Sequence, residues 1–259
     1  FQLKNYGFRV GANVLNNGTL NNLSYNINFS RSSAGPSLIF PTYGSEFSFG
    51  LKATLPYSLI SAKDFTEPDN LTAEEQNDFL ADKFKWLEYY KITAKGKWYT
   101  AFTDKLVLMT NAELGFLGFY NDKLGQTPFE RYFVGGDGIA QFQLDGRETV
   151  GLRGYENNRL SSISGGTIYN KFQLELRYSI TDAPSASIYT LGFVEAGNSY
   201  DNFETYNPFD LKRSAGVGVR IFMPAFGLLG IDFAHGFDPL PGQAIKSGWQ
   251  THFIIGRQF

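Results

Sequence analysis

Three observations predict an all-β fold, a transmembrane antiparallel β-barrel of the outer-membrane kind. Apolar and polar residues alternate with period two through nine successive segments. The links between those segments are short on one side and long on the other, as in barrels with tight turns at one membrane face and loops at the other. Aromatic residues make up 17% of the chain, yet mean hydropathy is slightly polar at -0.23, so apolar side chains must share strands with polar ones. No run reaches the roughly 18 to 20 apolar residues of a spanning helix. The best stretch, Phe222 to Ala234, contains Pro224 and Asp232. Any membrane crossing is therefore made by strands.

The elements follow in chain order. Gln2 to Val10 reads as a partial tenth strand with poor alternation. In Asn22 to Ser30, Leu23, Tyr25, Ile27 and Phe29 oppose Asn22, Ser24, Asn26 and Asn28. The link Gly35 to Tyr43 falls on the short-turn side but is not short. Glu46 to Leu55 sets Phe47, Phe49, Leu51 and Ala53 against Glu46, Ser48, Lys52 and Thr54. Within the long link 56–83, Thr72 and Glu75 have capping-box spacing, which predicts one or two helical turns. Its acidic residues fit no calcium loop and read as a solvated surface.

Phe84 to Thr100 puts Trp86, Tyr90, Ile92, Ala94 and Trp98 opposite Lys91, Thr93, Lys95 and Lys97. Leu106 to Gly118 opposes Leu106, Leu108, Ala112, Leu114 and Phe116 to Asn111 and Glu113. After the link 119–167, Ile168, Phe172, Leu174, Leu176 and Tyr178 oppose Lys171, Gln173, Glu175 and Arg177. Ser187 to Gly197 alternates less cleanly. Ala215, Val217, Val219, Ile221 and Met223 then oppose Ser214, Gly216, Gly218 and Arg220, and Leu229, Ile231 and Phe233 oppose Gly230 and Asp232. Trp249, Thr251, Phe253, Ile255 and Phe259 share one face of the last segment.

A soluble β-sandwich also alternates, so link lengths decide. Short links at Phe102 to Asp104, Thr181 to Ser185 and Pro224 to Ala225 alternate with long ones at 56–83, 119–167, 200–212 and 237–248. Lys, Glu and Arg recur in mid-strand, where a lipid-facing charge costs about 2 to 4 kcal/mol, so these faces are expected to line a watery lumen. The same parity places the C-terminus on the short-turn, periplasmic side.

Composition narrows function. The chain has 259 residues, with 23 basic and 25 acidic side chains and a net charge of -2, which leaves no broad cationic surface for nucleic acid. Zero cysteines and two histidines, His235 and His252, leave little material for metal or triad chemistry. The glycines of Val134 to Gly138 and Gly216 to Gly218 open no helix and make no phosphate loop. There is no Gly-x-Ser-x-Gly elbow, and the pair His235 and Asp232 has no serine in place. The expectation is a protein that is not an enzyme and needs no cofactor and no metal. Phe1 to Thr19 lacks the features of a secretory signal.

The link 119–167 far exceeds the roughly 12 to 15 residues beyond which a loop usually has a function. It contains Phe129-Glu130-Arg131-Tyr132-Phe133-Val134-Gly135-Gly136 and then Leu152-Arg153-Gly154-Tyr155. This order resembles the Val-Arg-Gly-Phe/Tyr lid-loop signature of BamA-type outer-membrane insertases, of the surface antigen family. Phe40-Pro41-Thr42-Tyr43-Gly44, Phe193-Val194-Glu195-Ala196-Gly197 and the C-terminal His252-Phe253-Ile254-Ile255-Gly256-Arg257-Gln258-Phe259 agree with it. The resemblance covers essentially the whole chain.

A guanidinium buried in a barrel requires carboxylate partners. Glu175 is on the polar phase of its strand and Glu195 lies in the strand after it, so both can converge on one point. The resemblance implies that 119–167 folds into the lumen as a lid, with Arg153, Gly154 and Tyr155 as its motif and Arg153 paired to Glu175, Glu195 or both. The family usually has Asp where this chain has Glu195, and often Phe where it has Tyr155. The resemblance also implies that residues 1–259 are the C-terminal portion of a barrel of about sixteen strands, with first strands and POTRA domains lying outside them. It implies a seam at the terminal strand, carried by Phe253, Ile255, Gly256 and Phe259, with Gly256 weakening strand pairing. Implied partners are unfolded outer-membrane barrel clients, the lipid bilayer and accessory lipoproteins of an assembly complex in a Gram-negative outer membrane. The alternatives are an autotransporter-assembly or two-partner-secretion translocator of the same superfamily, or a passive porin or substrate channel.

Overall fold

The structure is a computed structural model that describes residues 2–3, 8–10, 13–15, 18–61, 65–66, 68, 70–139, 146–183 and 186–256. Nine long strands form its wall: β1 (Ser24–Ser32), β2 (Pro41–Thr54), β3 (Tyr90–Ala101), β4 (Leu106–Gly118), β5 (Ile168–Ala183), β6 (Ala186–Tyr200), β7 (Lys212–Met223), β8 (Gly227–Pro239) and β9 (Lys246–Ile255). Each pairs antiparallel with the next in chain order, giving one meander from β1 to β9. Most exceed the roughly 9 to 11 residues that a tilted strand needs to cross a bilayer. Among the described residues the sheet is open, with β1 and β9 at its free edges.

The period-two pattern becomes the two faces of this wall. Trp98, Leu114, Leu174, Phe233, Trp249 and Phe253 are exposed on one face. Lys91, Asn111, Glu175, Glu195, Arg220 and Asp232 are buried on the other, beneath the segment 119–167. β6 alternates poorly because its covered face is itself apolar: Tyr189, Leu191 and Phe193 are buried there beside Glu195.

Several elements depart from the sequence expectation. The described parts of Gln2 to Val10 are not a wall strand: Gln2–Leu3 pairs with Gly18–Thr19 and Phe8–Val10 with Asn13–Leu15, in two small local sheets. Local pairing satisfies these backbone groups without demanding the apolar-out, polar-in alternation of a membrane wall strand. The third wall strand starts at Tyr90 rather than Phe84. Residues Phe84, Leu87 and Tyr89 are instead buried against helix α2 (Ala73–Lys83) and the segment 119–167, for which the label lid is kept, so their apolar character serves a local core and not the lipid face. Helix α2 is longer than one or two turns and starts with the expected capping box: the Glu75 N–H donates to Thr72 Oγ1 at 3.3 Å, and the Thr72 N–H donates to Glu75 Oε2 at 2.9 Å. A one-turn helix, α1 (Tyr57–Ser61), precedes it. The link expected at 237–248 shrinks to 240–245, because β8 and β9 pair as far as Pro239 and Lys246.

The described residues of the segment 119–167 carry regular pairing. Tyr132–Val134 pairs in parallel with Glu148–Val150, and Tyr132 also exchanges backbone hydrogen bonds with Gly166. Its Phe129, Tyr132, Val134, Val150, Leu152, Tyr155 and Leu160 join Leu80, Phe84, Tyr89, Leu117 and Tyr169 in the main hydrophobic cluster. Each fully buried large side chain of this kind contributes about 1.5 to 3 kcal/mol. A second cluster lies near the short turns, where the Phe40 ring packs against Tyr189, tilted by 59° with centroids 5.4 Å apart. The link Gly35 to Tyr43 is long because it turns back to bury Phe40.

Candidate functional site: the Arg153 lock

Arg153 projects from the lid onto the covered face of the wall and is 7% exposed. Its Nε and Nη2 donate to Glu195 Oε1 at 3.0 and 2.8 Å, and its backbone N–H donates to Glu195 Oε2 at 2.8 Å. Nη2 also donates to Glu175 Oε2 at 3.0 Å. Its guanidinium carbon stands 3.4 Å from the centroid of the Phe193 ring, a cation–π contact. Burial opposes its charge, but the carboxylates of Glu195, Glu175 and Asp232 raise the Arg153 pKa above its ordinary value.

The wall register explains the convergence. Glu175 and Phe193 are Cα partners across β5 and β6, Gln173 faces Glu195 on the same pair, and so both carboxylates lie one step apart on one face. The sequence reading missed a third carboxylate. Arg153 Nη1 donates to Asp232 Oδ2 at 3.0 Å, and Asp232 is wholly buried on β8. Arg220 on β7 donates to both oxygens of Asp232, at 2.6 and 2.8 Å, and Arg177 Nε donates to Glu175 Oε1 at 2.7 Å. Three guanidiniums, with the Lys171 ammonium 4.0 Å from Glu195 Oε1, therefore face three carboxylates, and each buried carboxylate has a cationic partner. Arg177, Arg220 and Asp232 are all on the polar phase of their strands, which was the available signal. What phase alone lacks is the register that brings strands so distant in sequence to one point.

Gly154 and Tyr155 each have a separate physical role. Gly154 has φ +85°, and a Cβ there would lie 2.8 Å from Ser214 Cβ and 3.0 Å from the Gly236 nitrogen, so the lid backbone touches the wall only if this residue is glycine. Its N–H donates to His252 Nε2 at 2.9 Å, which requires that nitrogen to be unprotonated and ties the lid to β9. Tyr155 is fully buried, and its hydroxyl donates to the Arg213 carbonyl at 2.7 Å. Desolvation raises its phenol pKa. His252 was legible only as part of the terminal motif.

An Omp85 superfamily domain model matches residues 2–259. The chain belongs to the Omp85 superfamily. This superfamily fold is an outer-membrane β-barrel, in agreement with the strand meander. The solved structure of BamA from Haemophilus ducreyi lacking POTRA domains 1-3 is similar, at 18% identity and TM-score 0.58, over 88% of this chain and 41% of that one. The chain thus spans less than half the length of that structure, and the likeness is one of fold. No curated protein matches the chain significantly.

Other expected site residues of this Omp85 chain lie apart from the lock. Phe253 and Ile255 are exposed on the outward face of β9. Gly256 follows the last paired residue instead of sitting inside the strand, although its N–H still donates to the Leu228 carbonyl at 2.9 Å. Its φ is +94°, and among the described residues no atom outside its chain neighbours would lie within 4 Å of a Cβ placed there. Neither clash relief nor weak strand propensity accounts for this glycine; backbone conformation does. Phe259 and Arg257 lie outside the described residues.

Proposed function

We propose that this protein folds and inserts β-barrel clients into the outer membrane, acting through a seam at its terminal strand and not as an enzyme. The observation that carries the reading is the Arg153 lock joined to β9: the lid motif reaches Glu175, Glu195 and Asp232 and, one residue on, His252 of the edge strand. A lid bonded to the edge strand couples lid position to the strand that would accept a client. An edge strand offers unpaired N–H and C=O groups to an incoming strand, and pairing plus burial of lipid-facing side chains supplies the free energy without a cofactor. The C-terminus is then on the periplasmic side, where clients and accessory lipoproteins of an assembly complex would meet it.

The test is client folding by the full-length protein reconstituted in lipid vesicles. Accelerated appearance of a folded, protease-resistant client barrel is the expected result, and Asp232→Asn or His252→Phe should slow it. Export of a passenger without client folding would favour the translocator reading. Steady ion conductance unaffected by loss of the lid would favour a passive channel.

A further inference from the structure

The lid meets the wall at a second charged cluster, whose polarity is reversed. At the Arg153 lock the lid supplies the cation and strands β5, β6 and β8 the carboxylates. At the paired segments that begin near Glu130 and at Glu148, the lid supplies these two carboxylates, and strands β2 and β3 supply lysines. Lys52 Nζ lies 2.6 Å from Glu130 Oε1. Lys91 Nζ donates to the Glu130 carbonyl at 2.9 Å, lies 3.2 Å from Glu148 Oε2 and stands 4.6 Å from the centroid of the Tyr132 ring. Lys95 Nζ lies 3.1 Å from Glu148 Oε1 and 3.6 Å from Glu113 Oε2.

Two further features mark this cluster as built. Glu130 has φ +64°, a left-handed conformation that a residue other than Gly, Asn or Asp rarely adopts and that persists only when its surroundings hold it. Its side chain is 10% exposed and that of Lys91 8%, so the pair is desolvated on both sides. Tyr132–Val134, two residues after Glu130, pairs in parallel with Glu148–Val150, which begins with Glu148, and this pairing joins the two carboxylates into one base. The arm that bears Arg153 leaves from the end of that base.

We propose that Glu130 and Glu148, held by Lys52, Lys91 and Lys95, form a second lid anchor that fixes the base of the lid, so that release of the Arg153 lock frees the arm alone. The lid then acts as a strut across the wall, from β2 and β3 to β5, β6, β8 and β9. Its base is a fixed hinge and its arm the moving part. This inference deepens the assembly reading above and rests on it for its functional consequence.

The experiment is amide hydrogen exchange on the full-length protein in lipid nanodiscs, with client folding measured on the same preparations. In Arg153→Ala, exchange at 153–155 should accelerate by at least about tenfold while 130–134 and 148–150 stay protected. In Glu130→Asn with Glu148→Gln, those base segments should accelerate by a similar factor. Asn suits the left-handed backbone better than Glu, so a loss of protection reports the missing charge and not strain. Uniform loosening of base and arm in Arg153→Ala, or unchanged protection in Glu130→Asn with Glu148→Gln, overturns the second anchor. The expected exchange pattern with client folding absent even in the unmodified protein would instead leave the anchor standing and overturn the assembly reading.

Discussion

At the scale of single residues, the lock is a matter of charge pairing and reach. Removing Arg153 takes away the guanidinium that contacts all three buried carboxylates, so Arg153→Ala should cost the lid about 3 to 5 kcal/mol. Arg153→Lys keeps the charge but not the planar fork that meets three carboxylates at once, so it should recover only part of that loss. Both are read from the temperature at which the lid becomes protease-sensitive in the reconstituted protein, and wild-type resistance in Arg153→Ala would refute that cost. Gly256 carries a second residue-scale prediction. Its positive φ sits in open space, so Gly256→Val should destabilise the end of β9 by about 1 to 2 kcal/mol through backbone strain. Gly256→Asn, which tolerates that conformation, should be milder. A Val variant at least as stable as the original would show that strand propensity decides there. Of the lock, Arg153, Glu175 and Glu195 were legible in the sequence, from the motif and from strand phase; Asp232 was in phase as well, but nothing in the sequence says that β8 curves to the same point as β5.

At the scale of elements, the lid base should respond to acid. Burial pushes the Glu148 carboxyl up, but the Lys91 and Lys95 ammoniums beside it prevail and hold it below the ordinary carboxylate range. Glu130 from the lid and Glu113 from β4 face the same lysines. A carboxylate whose folded pKa is depressed stabilises the fold above its unfolded value, and that stabilisation is lost as pH falls through the folded value. Protection of 148–150 should therefore be full at neutral pH and decline below the ordinary carboxylate range. Glu148→Gln should be less protected at neutral pH and lose that part of the acid dependence. An unaltered pH profile in the variant would assign the response to other groups. The helix in the link before β3 shows what element-scale reading does well: the Thr72 and Glu75 cap is a local interaction and was visible as a spacing. The lid's parallel pairing was not, because Tyr132–Val134 and Glu148–Val150 are too short to show a period and are stabilised by wall contacts.

At the scale of the whole molecule, the nine long strands of the described residues make a wall with two edges. Long edges with exposed apolar neighbours, such as Tyr25, Ile27 and Phe29 on β1 and Phe253 and Ile255 on β9, are driven to find partners. Residues 1–259 expressed alone in detergent should self-associate through those edges instead of running as a compact, heat-modifiable monomer. A protease-resistant monomer would mean that β1 and β9 pair with each other.

The sequence by itself determined most of the strand wall, which side chains face each way along the strands that alternate cleanly, and the presence of a long insertion with an Arg-Gly-Tyr motif. These follow from period two, from turn and loop lengths and from short ordered motifs, all of which are local along the chain. The tertiary structure decided the rest: the register that gathers Glu175, Glu195 and Asp232 around Arg153, the bond from Gly154 to His252, the reversed anchor at Glu130 and Glu148, and the removal of Phe84, Leu87 and Tyr89 from the wall into a core. Those outcomes depend on contacts between residues far apart in sequence. Strand phase specifies the face on which a residue lies but not its neighbours there, because sheet register and the inward fold of the lid are set by the summed packing and charge pairing of the whole wall.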